Sequence, residues 1–220
     1  MKIKVNPDIH PLDVSFDWKT AKLNDLDFTD CIHMTIWHHN SPEHDFSNLP
    51  DVPGLRSLVI NFSNSETIGG LEKYPCLERL ELYYVSKMKT VSGIEALDGL
   101  DLLSIFNAKK TGDLSEIGRL SNIETLRLCD CGDIPDIKFI SGMSGLKSFS
   151  FAGSCVVDGD MRPLLEHEPP LEFVGFNNKR HYSHSWEDVC KQLGLDKYTG
   201  YIDSTKKKIQ DNFSEQTGGK

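Results

Sequence analysis

The stretch Leu77-Glu78-Arg79-Leu80-Glu81-Leu82 carries apolar residues at its first, fourth and sixth positions, and the same spacing returns along the chain. It recurs downstream as Leu100/Leu103/Ile105, Ile123/Leu126/Leu128, Leu146/Phe149/Phe151 and Leu171/Val174/Phe176, and upstream as Leu55/Leu58/Ile60 and Cys31/Met34/Ile36. The first positions of these seven segments lie 24, 22, 23, 23, 23 and 25 residues apart. All 21 positions are apolar or cysteine in a chain that is 38% hydrophobic, which random placement achieves roughly once in a billion arrangements. A fixed period of this length is the mark of a solenoid.

Between the segments the apolar step changes to three: Phe46, Leu49, Val52; Ile68, Leu71, Tyr74; Met88, Val91, Ile94, Leu97; Leu114, Ile117, Leu120; Ile134, Ile137, Ile140, Met143. A step of three keeps side chains on one edge of a 3₁₀ or similar turn and does not suit a long α-helix. Each unit is therefore one short strand plus a compact return. No such unit can bury its own apolar edge, so the units must stack, with their strands parallel and about 4.8 Å apart. The expected architecture is a curved parallel sheet on the concave face, with 3₁₀ or irregular turns on the convex back.

These residues resemble the leucine-rich-repeat superfamily, and the 22 to 23 residue unit is most similar to the bacterial, internalin-like subclass. The resemblance covers residues 31–180 and implies a leucine-rich-repeat solenoid of the α/β class, with about seven repeats. The family usually places Asn or Cys three residues after the last core position of each strand. Here that position reads His39, Ser63, Val85, Ala108, Cys131, Ser154 and Lys179, so less regular turns are expected.

Solenoid ends need covers. Residues 1–30 are assigned to an N-terminal cap, in which Ile9, Leu12 and Val14 fit a degenerate repeat beside Pro7 and Pro11. Residues 181–203 form the C-terminal cap. There Ser185-Trp186-Glu187-Asp188 reads as a capping box opening a short helix that stops at Gly194 and lays Trp186, Val189 and Leu193 on the last repeat. Residues 204–220, with Lys206-Lys207-Lys208 and Gly218-Gly219, are polar and expected to be a flexible tail.

Composition narrows the function classes. A net charge of -9 argues against direct nucleic-acid binding, which needs a basic surface to displace counterions. No apolar run long enough to span a membrane occurs, and the first residues lack the apolar core of a secretion signal, so a cytoplasmic protein is expected. The six cysteines form no C-x-x-C pair and read as buried thiols. No nucleophile elbow, phosphate loop, dinucleotide glycine pattern or H-E-x-x-H is present, so no enzyme activity and no cofactor are expected. His38 and His39, with His33, His44, Glu43 and Asp45 nearby, are the best metal candidates. Adjacent strand residues point to opposite faces, however, and no metal site is assigned.

Function is expected on the strand positions that point away from the core. The residues just after the last core position read Trp37, Asn61, Tyr83, Phe106, Cys129, Ala152 and Asn177; the next read His38, Phe62, Tyr84, Asn107, Asp130, Gly153 and Asn178. Trp37, Asn61, Tyr83, Tyr84, Phe106 and Asn107, with Arg79, Glu81, Arg127 and Asp130, are the proposed partner contacts, since Trp, Tyr and Arg dominate binding hot spots. The competing expectation is that Trp37 and Phe62 fold down against neighbouring structure. A column of Glu78, Asp101 and Glu124 stacks like charges that a basic partner or solvent must screen.

Small, acidic repeat proteins of this kind resemble bacterial immunity proteins of contact-dependent growth inhibition, which neutralise a toxin. The resemblance implies a monomer in a 1:1 complex with a basic toxin domain, such as a nuclease, gripped by an acidic and aromatic concave face. The alternatives are an internalin-like effector or scaffold that binds a host or cellular protein, and, last, an enzyme with an unfamiliar site.

Overall fold

A computed structural model describes residues 13–195. Eight short strands form one parallel sheet in chain order: β1 (Asp13–Asp17), β2 (His33–His39), β3 (Ser57–Ser63), β4 (Arg79–Tyr83), β5 (Leu102–Phe106), β6 (Thr125–Cys129), β8 (Ser148–Ser150) and β10 (Phe173–Gly175). Between the last three come β7 (Asp133–Ile134) and β9 (Cys155–Val156), which pair with each other as a second, two-stranded parallel ladder. The register is strict: Leu58, Leu80, Leu103 and Leu126 align across β3 to β6, and Ile60, Leu82, Ile105 and Leu128 align beside them.

The core follows from alternation. Successive strand side chains point to opposite faces, so the repeated apolar positions share one interior, and all 21 are at most 8% exposed. The period-three positions join them: Phe46, Met88, Val91, Ile94, Ile117, Ile134, Ile137, Ile140 and Met143 are fully buried. The returns run through 3₁₀ turns at Leu71–Lys73, Ile94–Ala96, Ser115–Arg119 and Lys138–Gly142, and the last through a single α turn, α1 (Arg162–Leu165). Gly70 opens one of these turns at φ +89°, where an added Cβ would lie 2.3 Å from the Ser47 nitrogen. Only glycine fits that approach.

β1 departs from the expected register. Val14 aligns with Met34 and Phe16 with Ile36, so the offset is 20 residues and Val14 takes the second core position rather than the third. Phe16, 4% exposed, takes the third. A slip of two keeps the same face inward and buries the large phenyl ring in place of a smaller side chain. Ile9, Leu12, Pro7 and Pro11 lie outside the described residues, as do Lys206 to Lys208 and Gly218-Gly219 of the polar tail. Between β1 and β2, Trp18, Ala21, Leu23, Leu26 and Phe28 pack half-buried against the first repeats.

At the other end α2 spans Trp186–Leu193, and the Ser185 and Asp188 side chains each cap the other's backbone N–H before the chain stops at Gly194 in a left-handed turn. Val189 is fully buried, while Trp186 and Leu193 lie half-buried against the core. The Trp186 indole N–H donates to the Val174 carbonyl at 2.8 Å, so this ring closes the last repeat with its polar atom satisfied. Among the described residues no helix is long and apolar enough to cross a membrane.

The turns that leave the strands are regular, contrary to the expectation drawn from the missing Asn positions. His38, Phe62, Tyr84, Asn107, Asp130 and Gly153 all adopt a left-handed conformation with φ between 52° and 78°. One backbone shape repeats six times because local substitutes satisfy it. Ser154 donates to the Leu128 carbonyl at 2.6 Å and accepts from the Cys131 N–H at 2.9 Å. His39 Nδ1 meets Ser63 Oγ at 2.9 Å and Nε2 meets Asn48 Oδ1 at 2.8 Å. Val85 and Ala108, fully buried, continue the row as apolar filler.

Candidate functional site

The left-handed row is where the fold and the residue choice diverge. A non-glycine residue in this conformation costs roughly 1–2 kcal/mol, least for Asn and Asp. The later repeats use Asn107, Asp130 and Gly153, which suit it, and His38 in the first is also of a type enriched there; Phe62 and Tyr84 in the next two are not. Phe62 and Tyr84 are nevertheless 40% and 42% exposed, so core burial does not explain them. Their rings stack instead. Phe62 lies between His38 (centroids 5.3 Å apart, planes 15° apart) and Tyr84 (4.6 Å, 10°). Tyr84 meets Phe106 edge-on at 5.3 Å, and Trp37 approaches Phe62 at 6.4 Å. This ladder forms an aromatic rim along the edge where the strands end.

Of the expected cluster, Tyr83 and Tyr84 both meet Phe106 directly, at 6.2 and 5.3 Å, and Trp37 joins them through Phe62. Neither Trp37, 41% exposed, nor Phe62 folds down, because the stack holds Phe62 and Phe62 holds Trp37. Asn61 sits between Trp37 and Tyr83 in the same row. Asn107 and Asp130 extend the left-handed row, half-buried, each donating its N–H to the next strand's end at 3.0 and 2.9 Å.

Arg79 and Glu81 are placed differently from expectation. They are 7% and 3% exposed, with Arg79 Nε donating to Glu81 Oε1 at 2.7 Å and the Tyr83 hydroxyl donating to Glu81 Oε2. Arg127 stands 4.0 Å from the same carboxylate. Burial, reinforced by the bond to Glu81, pushes the Tyr83 phenol up to about 12. Burial to this degree makes Arg79 and Glu81 the floor of the face. Past Phe106 the row shrinks to Cys129 and Ala152, leaving an open hollow of about 500 Å³ beside Arg127 and Asn177.

The concave face is also less acidic than expected. Its strands carry three carboxylates, Asp13, Asp17 and Glu81, against two guanidiniums, Arg79 and Arg127. The acidic column is flanked by cations at the equivalent positions of neighbouring repeats: Arg56 Nε donates to Glu78 at 2.8 Å and Lys147 pairs with Glu124 at 2.9 Å. Backbone bonds run Glu78 to Arg56, Asp101 to Glu78, Glu124 to Asp101 and Lys147 to Glu124, which fixes that register. Part of the repulsion is therefore relieved within the chain.

Three of the histidines proposed as ligands, His38, His39 and His44, have other partners. His38 Nδ1 meets Asp17 at 3.0 Å, His39 bonds Ser63 and Asn48, and His44 Nδ1 meets the Asn64 carbonyl at 3.3 Å. Among the described residues no three His, Cys, Asp or Glu side chains converge as metal ligands would.

No protein-family model matches the chain, and no curated protein matches it. Among solved structures it is similar to an internalin of Listeria monocytogenes (14% identity, TM-score 0.48, 82% of this chain and 58% of that one). A second internalin of that species gives 17%, 0.48, 68% and 73%, and a leucine-rich-repeat protein of Leptospira interrogans gives 13%, 0.37, 79% and 55%. This chain thus spans little more than half the length of the first and third. The fold rests on the strand register and shared core described above. The chain folds as a leucine-rich-repeat solenoid.

Phe62, expected from the sequence to fold down at a turn and outside the proposed partner contacts, is instead central to the stack. Its column reads His, Phe, Tyr, Asn, Asp, Gly, and the last three are the residues that favour left-handed turns. That run was the available signal.

Proposed function

We propose that this chain is a protein-binding module whose contact surface is the aromatic rim and the adjoining strand face of its first half. One observation carries this reading: two consecutive repeats place exposed rings, Phe62 and Tyr84, at a backbone position that disfavours them, where Asn or Gly would hold the turn more cheaply. Strain of this kind, together with exposed apolar area, points to a role outside folding.

Within that reading, the finer role we propose is neutralisation of a toxin, as a monomer in a 1:1 complex, in the manner of the immunity proteins that the repeats resemble. The net charge of -9 favours an overall basic partner, such as a nuclease domain, through long-range steering. The nearly balanced strand face leaves short-range specificity to the rim. The repeat length of 22 to 23 residues equally supports an internalin-like effector that binds a host protein.

The test is calorimetry of the purified chain against the product of the gene adjacent to its own, with an activity assay of that product. Tight 1:1 binding that abolishes the activity is the expected result. Absence of binding, or binding that leaves activity intact, refutes the toxin role.

A further inference from the structure

The rim differs in charge along its length: the loops after His38 and Phe62 carry Glu43, Asp45 and Glu66, whereas those beyond Tyr84 turn basic. The two loops that leave it after Tyr84 and Asn107 carry Lys87, Lys89, Lys109 and Lys110, all exposed. Lys89 pairs with Glu66, and the lysine at 110 also acts on that carboxylate through space. The loops are stacked on one another, since the Gly112 N–H donates to the Lys89 carbonyl at 3.2 Å. Four cations thus occupy neighbouring loops beside Phe62, Tyr84 and Phe106.

Ring geometry points the same way. Both faces of Phe62 are covered, by His38 and by Tyr84, with planes within 15° of parallel, so its exposed part is ring edge. An aromatic ring is negative on its face and positive at its edge. Edges and lysines together attract carboxylates and carbonyl oxygens. We infer that the rim and its two lysine-bearing loops hold an extended acidic segment of a partner protein. The inference rests on the protein-binding reading and adds the chemistry of the bound segment; an overall basic partner that presents a local acidic stretch satisfies both. Single-stranded nucleic acid, the other polyanion that lysines and aromatics can hold, needs free ring faces on which bases stack. Here the Phe62 faces are occupied, and the net charge of -9 repels a polyphosphate.

The experiment pans a phage-displayed random peptide library on the immobilised full-length chain and measures the enriched peptides by fluorescence anisotropy. Enriched peptides are expected to be acidic, to bind at least about tenfold more weakly to Phe62→Asn/Tyr84→Asn, and to weaken as salt is raised. Asn tolerates the left-handed backbone, so that variant keeps its fold, checked by its melting temperature. Lys87→Glu/Lys109→Glu/Lys110→Glu, which changes only exposed side chains, is expected to abolish binding. Basic peptides whose binding is lost in the rim variant would leave the binding reading standing and overturn the acidic segment. Peptides indifferent to the rim variant, or no enrichment, would overturn both for this surface. Tighter binding of a thymidine oligonucleotide than of any peptide would assign the rim to nucleic acid and overturn the inference.

Discussion

Replacing Glu81 with Gln tests whether the charged groups beneath the concave face are internal supports. The side chain keeps its volume and loses its charge. In the native protein Glu81 is 3% exposed and receives Arg79 at 2.7 Å and the Tyr83 hydroxyl, with Arg127 at 4.0 Å. The glutamine retains one acceptor oxygen, but its amide nitrogen would face guanidinium donors, and Arg79, 7% exposed, would lose the Glu81 carboxylate from its buried surroundings. Breaking a buried pair from one side costs about 3–5 kcal/mol, and at about 2–4 °C per kcal/mol for a chain of this size the melting point should fall by about 6–20 °C. Removing both charges with Arg79→Met/Glu81→Leu should recover most of that loss, because no unpaired ion remains from this pair. The assay is urea and thermal unfolding followed by circular dichroism. A loss under about 1 kcal/mol for the single variant would show that water reaches these groups and that they belong to the contact layer after all.

Leu103→Asp places a carboxylate at a fully buried position shared by three strands and should leave the chain unfolded by circular dichroism at 25 °C. Tyr83→Ala with Phe106→Ala should weaken partner binding by about 2 kcal/mol or more in calorimetry while the far-ultraviolet spectrum is unchanged. Ser154→Ala orphans the Cys131 N–H and the Leu128 carbonyl and should cost about 1–3 kcal/mol in urea unfolding. His39 is held neutral because burial lowers its pKa, so below its ordinary value the unfolded chain binds more protons than the folded one. Its contribution is therefore full above about pH 6.5 and is lost as pH falls toward the depressed folded value. Unfolding curves across that window should show wild type losing stability relative to His39→Asn, and parallel pH profiles would exclude His39 as the cause.

The repeat, the parallel strands and the 3₁₀ returns are legible in the sequence because they follow from periodicity. Leu58, Leu80, Leu103 and Leu126 must face one interior wherever the chain places them, since a strand alternates its faces and a lone unit cannot bury its edge. The helix cap is legible at Ser185 and Asp188 because both partners lie within one turn. The register of β1 is not legible in the same way: alternation accepts two registers two residues apart, and only contact with β2 places Phe16 rather than Val14 opposite Ile36.

What the sequence could not decide concerns groups brought together from different repeats. Arg79 and Glu81 look like surface charges in a list of outward strand positions; their burial to 7% and 3%, with Arg127 of β6 4.0 Å from Glu81, is set by side chains of neighbouring repeats. Phe62 looks like an incidental turn residue, and its stacking between His38 and Tyr84 exists only because three left-handed turns are repeated in register. Periodicity is a one-dimensional property and can be read from the chain. Exposure, ring stacking and pairs such as Arg56 with Glu78 depend on distances between residues about 23 positions apart, which only the folded solenoid sets.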